Sequence, residues 1–588
     1  MTKTRRSSRR ARRITIAILL FVFVGWLGFC AHLGLSAKAH LQKAQEHLRA
    51  LTSGDGSLKS LVDGDQSLLL NAQAELSKAH QDLDSSALGI AAPVPFVGTQ
   101  VRSARALTTT AKGLVDAAVI ASVDLTPQRR KGISRIDLLD RVAVAGQHLA
   151  VAVNGSRLGP SGGLIAALAD ARDEMSRQLV TIKTPLDRTN AAIPGLRQML
   201  IGPTHFLLVA ANNAQMASGS GLPLAVATLD IADGQMHVGP FDWTAAIDVP
   251  AGSVPLPSEL ADLWAFATPQ DTIRRAIVTP RFPVSARLMA DQYRAATGRA
   301  VDGVMLIDIV GLQKLVAAAG TPGAAGSIPA DQIIPELMNG QYLKVDYGSP
   351  DGIVERKERL GDVARSAVST LLDPDASLVG LSTALSEAIS GRHLLLWSSV
   401  PAVQHAFVSL GAEGDLVDTS VAVSLQNEAS NKLDWFVRVG AKMTASEAAN
   451  GDRNMTVEID ITNIVPDGQP AYVAGPSLRV LSYGDYVGYL TINAPGAATN
   501  LHLGDKSPLI LAGSDGPTST IGQLVSIKRN AATKVTFLFT LPASMATLRV
   551  EPSARYPAIS WSMAQETWTD ERAHTVFLPS VGGLVRPS

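Results

Sequence analysis

Three side-chain amides, those of Asn212, Asn213 and Gln215, follow the apolar run HFLLVAA that begins at His205. Such a run predicts a buried strand, and open α/β sheets bind ligands just beyond the C-terminal ends of their strands. Amides in that position can hydrogen-bond to a sugar or to a lipid headgroup. A polar turn without a chemical role is the simpler interpretation. We keep the three amides as candidate ligand-binding residues.

An anionic ligand calls for an arginine, because the planar guanidinium group can bind two oxygen atoms at once. Arg365, in the sequence GDVAR, is the candidate. Asp362 lies three residues earlier, a spacing at which two helical residues form an ordinary exposed ion pair, and this is the better interpretation. Arg365 is the fourth candidate ligand-binding residue.

Two patterns resemble catalytic sites without meeting their requirements. GPSGG at residues 159–163 fits the G-x-S-x-G pattern of serine hydrolases, but that pattern needs a buried strand before the serine. The preceding NGSRL is polar and turn-forming, which favours a link between two helices.

Asp302 and Asp308 bracket a predicted strand and are about 20 Å apart if extended, too far for a carboxylate pair. We predict that they are capping residues and that there is no catalytic residue.

Metal ligands and cofactors are not predicted. His205, His393 and His405 are too scattered for a ligand spacing such as i, i+4. The only cysteine, Cys30, lies in an N-terminal apolar run, which excludes an intramolecular disulfide and thiolate metal sites.

The segment that carries the candidate amides, residues 204–413, alternates strands with helices. The predicted strands are His205–Ala211, Leu224–Ile231, Gln235–Val238, Val301–Ile307 and His393–Ser398, with a turn at Asp233-Gly234. The predicted helices are Asp271–Thr279, Pro283–Thr297, Gly311–Ala319, Gly361–Leu372, Leu378–Ser390 and Pro401–Leu410. This alternation predicts an α/β layered sheet.

Residues 38–203 have the composition of a helix bundle, with Phe96 as the single aromatic residue. The predicted helices are Leu41–Leu51, Leu69–Leu83, Val101–Ser122, Ile133–Val153 and Leu164–Ile182. Because glycines and prolines interrupt the apolar spacing, we predict a helical stalk folded into hairpins.

From Gly414 onward the apolar residues alternate with polar ones, as in Met455–Ile461 and Val535–Leu541. Further predicted strands are Val421–Leu425, Leu433–Val439, Tyr489–Ile492, Leu524–Lys528 and Thr547–Val550. Clusters of Gly, Pro and Asn separate these strands, which is typical of an antiparallel β-sandwich. We predict that residues 414–588 form an immunoglobulin-like sandwich.

The N-terminus predicts the location of the protein. Ile14–Ala37 is an uncharged apolar run with the length of a membrane span, and it follows seven Lys and Arg residues. Positive charge beside a span stays in the cytoplasm. We therefore predict a cytoplasmic tail at residues 1–13, a signal-anchor transmembrane helix at residues 14–37, and extracytoplasmic domains. Cleavage after Ala39, at an A-x-A site, is the competing interpretation.

The charge of the extracytoplasmic part excludes some partners. Without the seven N-terminal positive charges, the chain has 45 Lys and Arg residues against 52 Asp and Glu, a net charge of −7. A negative field repels nucleic acids and anionic wall polymers. We predict no nucleic-acid partner.

Several segments together resemble a known family. They are VDGVMLIDIVGLQKLVAAAG at Val301–Gly320, FLLVAANNAQMASGS, GRHLLLWS, NKLDW and EIDITNIVP. In this order they resemble the bacterial envelope family called domain of unknown function 4012, from about Pro95 to the C-terminus. The resemblance implies a membrane-anchored, extracytoplasmic protein associated with surface-polysaccharide production, with unknown activity.

The middle region is also remotely similar to the LytR-CpsA-Psr phosphotransferases, which move glycans from polyprenyl pyrophosphate carriers to the cell wall. Those enzymes need arginines on the pyrophosphate and an aspartate on the metal ion. Here Gly221-Leu222 replaces their Ser-Asp, and Pro240-Phe241-Asp242 stands where Arg-Asp is expected. Gly361–Arg365 keeps one arginine only, Arg365, for which the resemblance implies a contact to phosphate. The resemblance therefore implies a related fold from which that catalysis has been lost.

These observations predict a multidomain protein: a transmembrane helix, an α-helical stalk, an α/β LytR-CpsA-Psr-like domain and a C-terminal antiparallel β-sandwich. We expect a non-catalytic cell-envelope protein that binds a polyprenyl-linked glycan or an assembly partner. An active phosphotransferase with a rearranged site and a structural spacer or adhesin are the alternatives. The sequence leaves the ligand and the oligomeric state open.

Overall fold

The computed structural model of the chain describes residues 40, 43–44, 46–47, 66–84, 97–126, 132–318, 324–325, 328–344, 352, 361–366, 378–448, 450–477 and 482–578. The predicted cytoplasmic tail, membrane anchor, Cys30 and cleavage site lie outside these residues. The described residues form two compact units: one contains those up to Gly202, with residues 233–235 and 378–383, and the other contains those within residues 203–232, 236–366 and 384–578.

The first unit is helical, as predicted. Its long helices are α1 (Ser67–Leu83), α2 (Val97–Asp124), α3 (Arg135–Asn154) and α4 (Ala166–Ile201). Leu69, Leu76, Leu107 and Met175 contribute to one shared apolar core. In α1 the buried residues recur every three or four positions, so one stripe of the helix faces the core.

Among the described residues, one helix, Gly98–Val123 within α2, is long and apolar enough to cross a membrane. Half of its most apolar window is buried inside the protein, and Leu107 and Val115 lie in the core of the helical unit. Length and apolar composition alone do not distinguish a membrane span from a core helix of this kind.

Helix α4, the last of the helical unit, is longer than the sequence predicts. Its predicted end at Ile182 is wrong, because α4 continues through Pro185 and Pro194 to Ile201. Each proline removes one backbone donor from the helix. The link between α3 and α4 contains the GPSGG sequence, and Ser161 is exposed there with no strand before it. This agrees with a helix-helix link.

The second unit contains a mixed sheet. Its strands are β1 (Thr204–Ala217), β2 (Ser220–Ala232), β3 (Gln235–Val238), β4 (Asp242–Trp243), β5 (Gly303–Asp308) and β8 (Leu394–Ser398). The order is β3-β2-β1-β5-β8, and β4 pairs with β2. β1 is antiparallel to β2 and parallel to β5, and β5 is antiparallel to β8. Asp233 and Gly234 have φ values of 50° and 74°, so the predicted turn between β2 and β3 is confirmed.

Helices cover this sheet. They are α5 (Ser258–Trp264), α6 (Phe282–Thr297), α7 (Ile309–Ala318), α8 (Leu378–Ser390) and α9 (Pro401–Leu410), and residues 361–366 are also helical. A small ribbon is formed by β6 (Ala324–Ala325) and β7 (Ile328–Pro329). The helix predicted at Asp271–Thr279 is wrong, since only short 3₁₀ turns form at Pro269–Asp271 and Ile273–Arg275.

Two further six-stranded sheets follow. Their strands are β9 (Ser420–Asn427), β10 (Val437–Glu447), β11 (Arg453–Asn463), β12 (Tyr486–Pro495), β13 (Thr499–Leu503), β14 (Leu511–Asp515), β15 (Thr518–Ile527), β16 (Ala532–Leu541), β17 (Thr547–Val550), β18 (Ser560–Met563), β19 (Glu566–Thr569) and β20 (His574–Phe577). The orders are β13-β16-β11-β10-β18-β19 and β14-β15-β12-β9-β17-β20. Residues of both sheets share one apolar core. The predicted strand at Leu433–Val439 begins instead with a 3₁₀ turn, Leu433–Phe436.

A helical N-terminal part, an α/β region and mixed sheets are therefore present. The immunoglobulin-like sandwich and the LytR-CpsA-Psr-like fold stay predictions. The α/β sheet and the two later sheets lie in the same compact unit. Tyr342 lies in the core of the later sheets, whereas Leu511 lies in a core of the α/β region.

Because apolar side chains cross between these parts, we expect a chain truncated after Glu413 to lose stable packing in the α/β region. Near-ultraviolet circular dichroism and limited proteolysis would measure the loss against the full chain. If the truncated chain kept a protease-resistant fragment from Pro203 to Glu413 and its cooperative thermal transition, the shared core would not be needed for folding.

Candidate functional site

The three amides predicted to bind a ligand lie within β1, not beyond its end. The predicted strand end at Ala211 is wrong, because β1 continues to Ala217. Asn212, Asn213 and Gln215 are only 2%, 0% and 6% exposed. Polar side chains can occupy such buried positions when each finds a hydrogen-bond partner.

β1 has a bulge at these amides, which interrupts its pairing with β2. Asn212 is opposite Leu222 of β2, whereas Met216 is opposite Gly221, the next residue along β2. The residues between Asn212 and Met216 therefore have no counterpart on β2. A Cβ atom on Gly221 would lie 2.6 Å from the carbonyl carbon of Asn212, so this close approach requires glycine.

Asn213 binds the buried carboxylate of Asp308 at the end of β5. The Asn213 Nδ2 donates to Asp308 Oδ2 at 2.7 Å, and His393 Nδ1 lies 2.8 Å from the same oxygen. Asp308 Oδ1 accepts the backbone N–H of Gly311 at 2.9 Å, so the predicted capping role is confirmed at α7. Asn213 Nδ2 also donates to the carbonyl of Ala554 at 2.9 Å. One amide thus joins three chain segments.

Asp434, which is fully buried, has both of its carboxylate oxygens bound. Arg555 Nη1 donates to Oδ1 at 2.9 Å, and the Tyr486 hydroxyl donates to the same oxygen at 3.1 Å. The backbone N–H of Met216 in β1 donates to Oδ2 at 3.0 Å, and Asn427 Nδ2 does so at 2.8 Å. A buried carboxylate is stable only with such full pairing.

The charges of this cluster shift the pKa values of its members. Burial lowers the pKa of Arg555, but the charge of Asp434, the nearby Tyr486 and the hydrogen bonds to both together outweigh burial, so the net pKa lies above the usual value. Burial and then the negative charge of Asp434 raise the pKa of Tyr486 well above its usual value. Arg555 therefore stays a cation and Tyr486 stays a neutral hydrogen-bond donor.

The remaining two amides of β1 contact aromatic residues and a lysine. Gln215 Oε1 accepts a hydrogen bond from Lys432 Nζ, and that nitrogen lies 5.5 Å from the centre of the Tyr472 ring. Asn212 Nδ2 donates to the Tyr342 hydroxyl at 3.1 Å. The rings of Tyr342 and Tyr472 are 5.6 Å apart. All three amides are thus engaged inside the protein.

A second buried carboxylate, Asp515, also joins the α/β region to the later sheets. Thr279 Oγ1 donates to Asp515 Oδ2 at 2.7 Å, and Asn493 Nδ2 donates to it at 2.9 Å. Arg281 Nη1 lies 3.9 Å from Asp515, and Arg281 Nε donates to Asp415 at 3.0 Å. Burial raises the pKa of Asp515, and the hydrogen bonds from Thr279 and Asn493 oppose that shift only in part.

We call the contacts of Asn213, Asp308, His393, Asp434 and Arg555 the buried junction. Asp308 accepts from Asn213, and Asp434 accepts from Nη1 of Arg555, so the arrangement can position β1 against the later sheets. These contacts give the predicted amides a structural role. Binding of a ligand by Asn212, Asn213 or Gln215 stays a prediction.

Arg365 lies apart from the buried junction, on the helical residues 361–366. Its side chain is half exposed and forms an ion pair with Asp362, as the spacing predicts. Binding of phosphate by Arg365 stays a prediction. Across the part of the chain that the structure describes, no group of three or more His, Cys, Asp and Glu side chains is placed to hold a metal ion.

Sequence reasoning named Asp308 and His393 but did not predict that they contact Asn213, and it did not single out Asp434 or Arg555. Asp308, His393 and Asp434 lie in VDGVMLID, GRHLLLWS and NKLDW, the same segments on which the family resemblance rests, and Asn213 lies in FLLVAANNAQM. Four separate segments thus meet at one place. No local sequence pattern predicts which distant residues form a buried contact. Polar residues inside apolar segments do indicate that a buried hydrogen-bond partner is needed.

We expect Arg555→Met to destabilise the protein by about 3–5 kcal/mol, because it leaves the buried Asp434 carboxylate without its opposite charge. Arg365→Ala is the control: its ion pair is half exposed, so the loss should stay under about 1 kcal/mol. Urea unfolding monitored by circular dichroism measures both. Adding Asp434→Asn to Arg555→Met should recover part of the loss, and equal costs for Arg555→Met and Arg365→Ala would contradict the junction.

Asp515 should make the free energy of unfolding depend on pH. Since its folded-state pKa is raised, the native state binds the proton more tightly than the unfolded chain, and this contribution to stability is lost as pH rises through the folded-state pKa. The difference in unfolding free energy between the wild type and Asp515→Asn should therefore grow as pH falls from about 7 to about 4.5. A difference that shrinks over this range would show that ionisation of Asp515 is favoured by folding.

Comparisons with known proteins give one finding. Residues 202–342 match the family model described as protein of unknown function, DUF4012. No curated protein and no solved structure matches the chain. The matched segment contains β1, β2 and β5, and with them Asn213 and Asp308 of the buried junction. The match supports the DUF4012 family for residues 202–342 of this chain.

Proposed function

We propose that this chain is a single-pass, membrane-anchored extracytoplasmic protein that binds or positions a carrier-linked glycan or an assembly partner. Its process is the biogenesis of cell-surface polysaccharide or cell-wall glycan, and it catalyses no reaction. The observation that supports the absence of catalysis is that the polar side chains at the end of β1 bind other residues of the protein. Asn213 binds Asp308, and Gln215 binds Lys432.

Arg365 supports the same proposal. Phosphoryl transfer needs several cationic groups that converge on the phosphate oxygens, because most of the catalysis is electrostatic. The arginine that the phosphotransferase pattern retains is half exposed and already paired with Asp362. Arg555, a second candidate cation, is fully buried against Asp434. Neither guanidinium group is presented to a ligand in the way that such a reaction requires.

The location follows from the apolar run Ile14–Ala37 and the basic residues before it. A signal anchor leaves the C-terminal domains outside the cytoplasm. There, a net charge of −7 favours neutral ligands or protein partners over polyanions.

A structural spacer or adhesin is the second candidate. The observation that favours it is the dense pairing of buried charges between the α/β region and the later sheets, which makes this part of the protein resistant to deformation. A spacer would need this rigidity and no ligand.

Binding of the purified extracytoplasmic part to polyprenyl-phosphate sugars tests the proposal, together with the envelope glycan content of a deletion strain. We expect saturable binding and altered glycans. Arg365→Ala should bind nearly as well as the wild type, since its guanidinium group is paired with Asp362. No binding and unchanged glycans would leave the spacer as the better account.

A magnesium-dependent transfer assay separates binding from catalysis. We expect no glycan transfer by the wild-type protein. Transfer that depends on Mg²⁺ and disappears in Arg365→Ala would replace the proposal with an active phosphotransferase that has a rearranged site.

A further inference from the structure

The edge strand β20 has backbone groups without partners. In its sheet, β20 pairs with β17 on one side only. The N–H of Leu578 donates to the carbonyl of Ala546 at 2.9 Å, which fixes the alternation of this antiparallel ladder. Every second residue of such a ladder bonds to the neighbouring strand, so the N–H and C=O groups of Thr575 and Phe577 point away from β17. Among the described residues, these groups have no hydrogen-bond partner on that side.

The side chains of β20 differ between its two faces. Val576 and Leu578 belong to the core that the two later sheets share. Thr575 and Phe577 project from the outer face, and Phe577 is 79% exposed. No Asp, Glu, Lys or Arg occurs in residues 573–585. β20 therefore presents an uncharged edge, with a phenyl ring beside its free backbone groups.

The other three edges of the two later sheets are protected against pairing with a further strand. β13 has a register shift against β16 between Thr499 and His502. β14 is covered by α5, since a Cβ atom on Gly513 would lie 3.0 Å from Leu263. β19 carries an acidic residue, Glu566. Bulges, cover and charge are the means by which proteins block an exposed edge. In the part of the chain that the structure describes, β20 has none of these, which indicates that its edge is used for an interaction.

We propose that β20 pairs with β20 of a second copy of this chain, antiparallel and around a two-fold axis at Val576. In that register Thr575 of one copy lies opposite Phe577 of the other. The two residues exchange both N–H···O bonds of an antiparallel hydrogen-bonded pair, and the two-fold axis repeats the exchange on the other side of Val576. The contact therefore pairs the backbone groups that β17 leaves free.

A second copy fits this edge because the edge is complementary to itself. The free groups belong to residues two positions apart, so a strand turned by the two-fold axis places Thr575 against Phe577 twice. The same register keeps Val576 on the buried face and packs the phenyl ring of Phe577 against the Thr575 side chain of the other copy. Residues 573–585 bring no like charges together, and they offer no opposite charge to a charged peptide.

The contact is small. One strand pair and the phenyl ring of each copy bury less surface than a standard protein interface, so the dimer should form reversibly. Self-association does not depend on which ligand the protein binds, and the inference therefore goes beyond the proposed function.

Sedimentation equilibrium of the full-length chain in detergent, from about 5 to about 300 µM, measures this self-association. We expect the wild type to form a dimer whose fraction rises with concentration. Thr575→Pro removes a free N–H without touching the bonds to β17, and Phe577→Lys adds a charge that opposes edge pairing. Each should weaken the dimer roughly tenfold or more. The matched control is Leu524→Lys in β15 of the same sheet, where Leu524 is 51% exposed, and it should associate like the wild type.

Crosslinking tests the register of the strand pair. Thr575→Cys is placed in a Cys30→Ser background, because Cys30 is the only cysteine of the chain. In the proposed dimer the two introduced thiols belong to diagonal neighbours about 7–8 Å apart, within reach of a short bismaleimide. We expect a crosslinked dimer from Thr575→Cys and none from Leu524→Cys in the same background.

Phe577→Lys keeps the test valid if Thr575→Pro fails to fold, because Phe577 is 79% exposed. A wild type that stays monomeric, or equal self-association of the wild type and Phe577→Lys, would overturn the pairing of β20. So would a chain ending at Leu578 that dimerises when the wild type does not, because residues 579–588 would then cover the edge of their own copy. Equal crosslinking of Thr575→Cys and Leu524→Cys would likewise contradict it.

Discussion

The carboxylate of Asp434, which is shielded from solvent, constrains how this part of the protein can pack. Removing a carboxylate from water costs several kcal/mol, and only close pairing offsets that cost. Arg555 supplies the opposite charge, Tyr486 and Asn427 supply donors, and the backbone of Met216 completes the set. Since these donors come from four places in the chain, the carboxylate can be accommodated only when all of them are in position.

β1 carries this constraint into the α/β region. It is the central strand of the mixed sheet, and its bulged end reaches the later sheets through Asn213, Gln215 and Met216. Near residue 413 the sequence changes from alternating strands and helices to strands alone, but the parts before and after this point pack against each other. Trp435 and Tyr556, from beyond that point, stack on each other and pack against the core of the α/β region. A ligand-binding surface in this unit would be built on a rigid support.

Local patterns in the sequence predict much of the secondary structure. The apolar spacing of Leu69–Leu83 and the alternation of Met455–Ile461 reflect burial on one face, which neighbouring residues alone determine. The end of β1 could not be predicted in this way, because Asn212 and Asn213 are stabilised in the strand by residues far along the chain. The same holds for the candidate site: the amide types and their position after an apolar run are recognisable in the sequence, but their burial is not.

The separation of these partners along the chain bears on how the protein is made. Met216 and Asp434 are 218 residues apart, and Asn213 and Ala554 are 341 residues apart. At a synthesis rate of about 5–20 residues per second, Asn213 waits roughly 17–70 s before its last acceptor has left the ribosome. During that interval the nascent strand exposes unsatisfied amides and an unfinished sheet edge. Final assembly of this unit therefore waits until residue 554 has been synthesised, and protection of the half-built sheet until then is a requirement that the topology itself imposes on the cell.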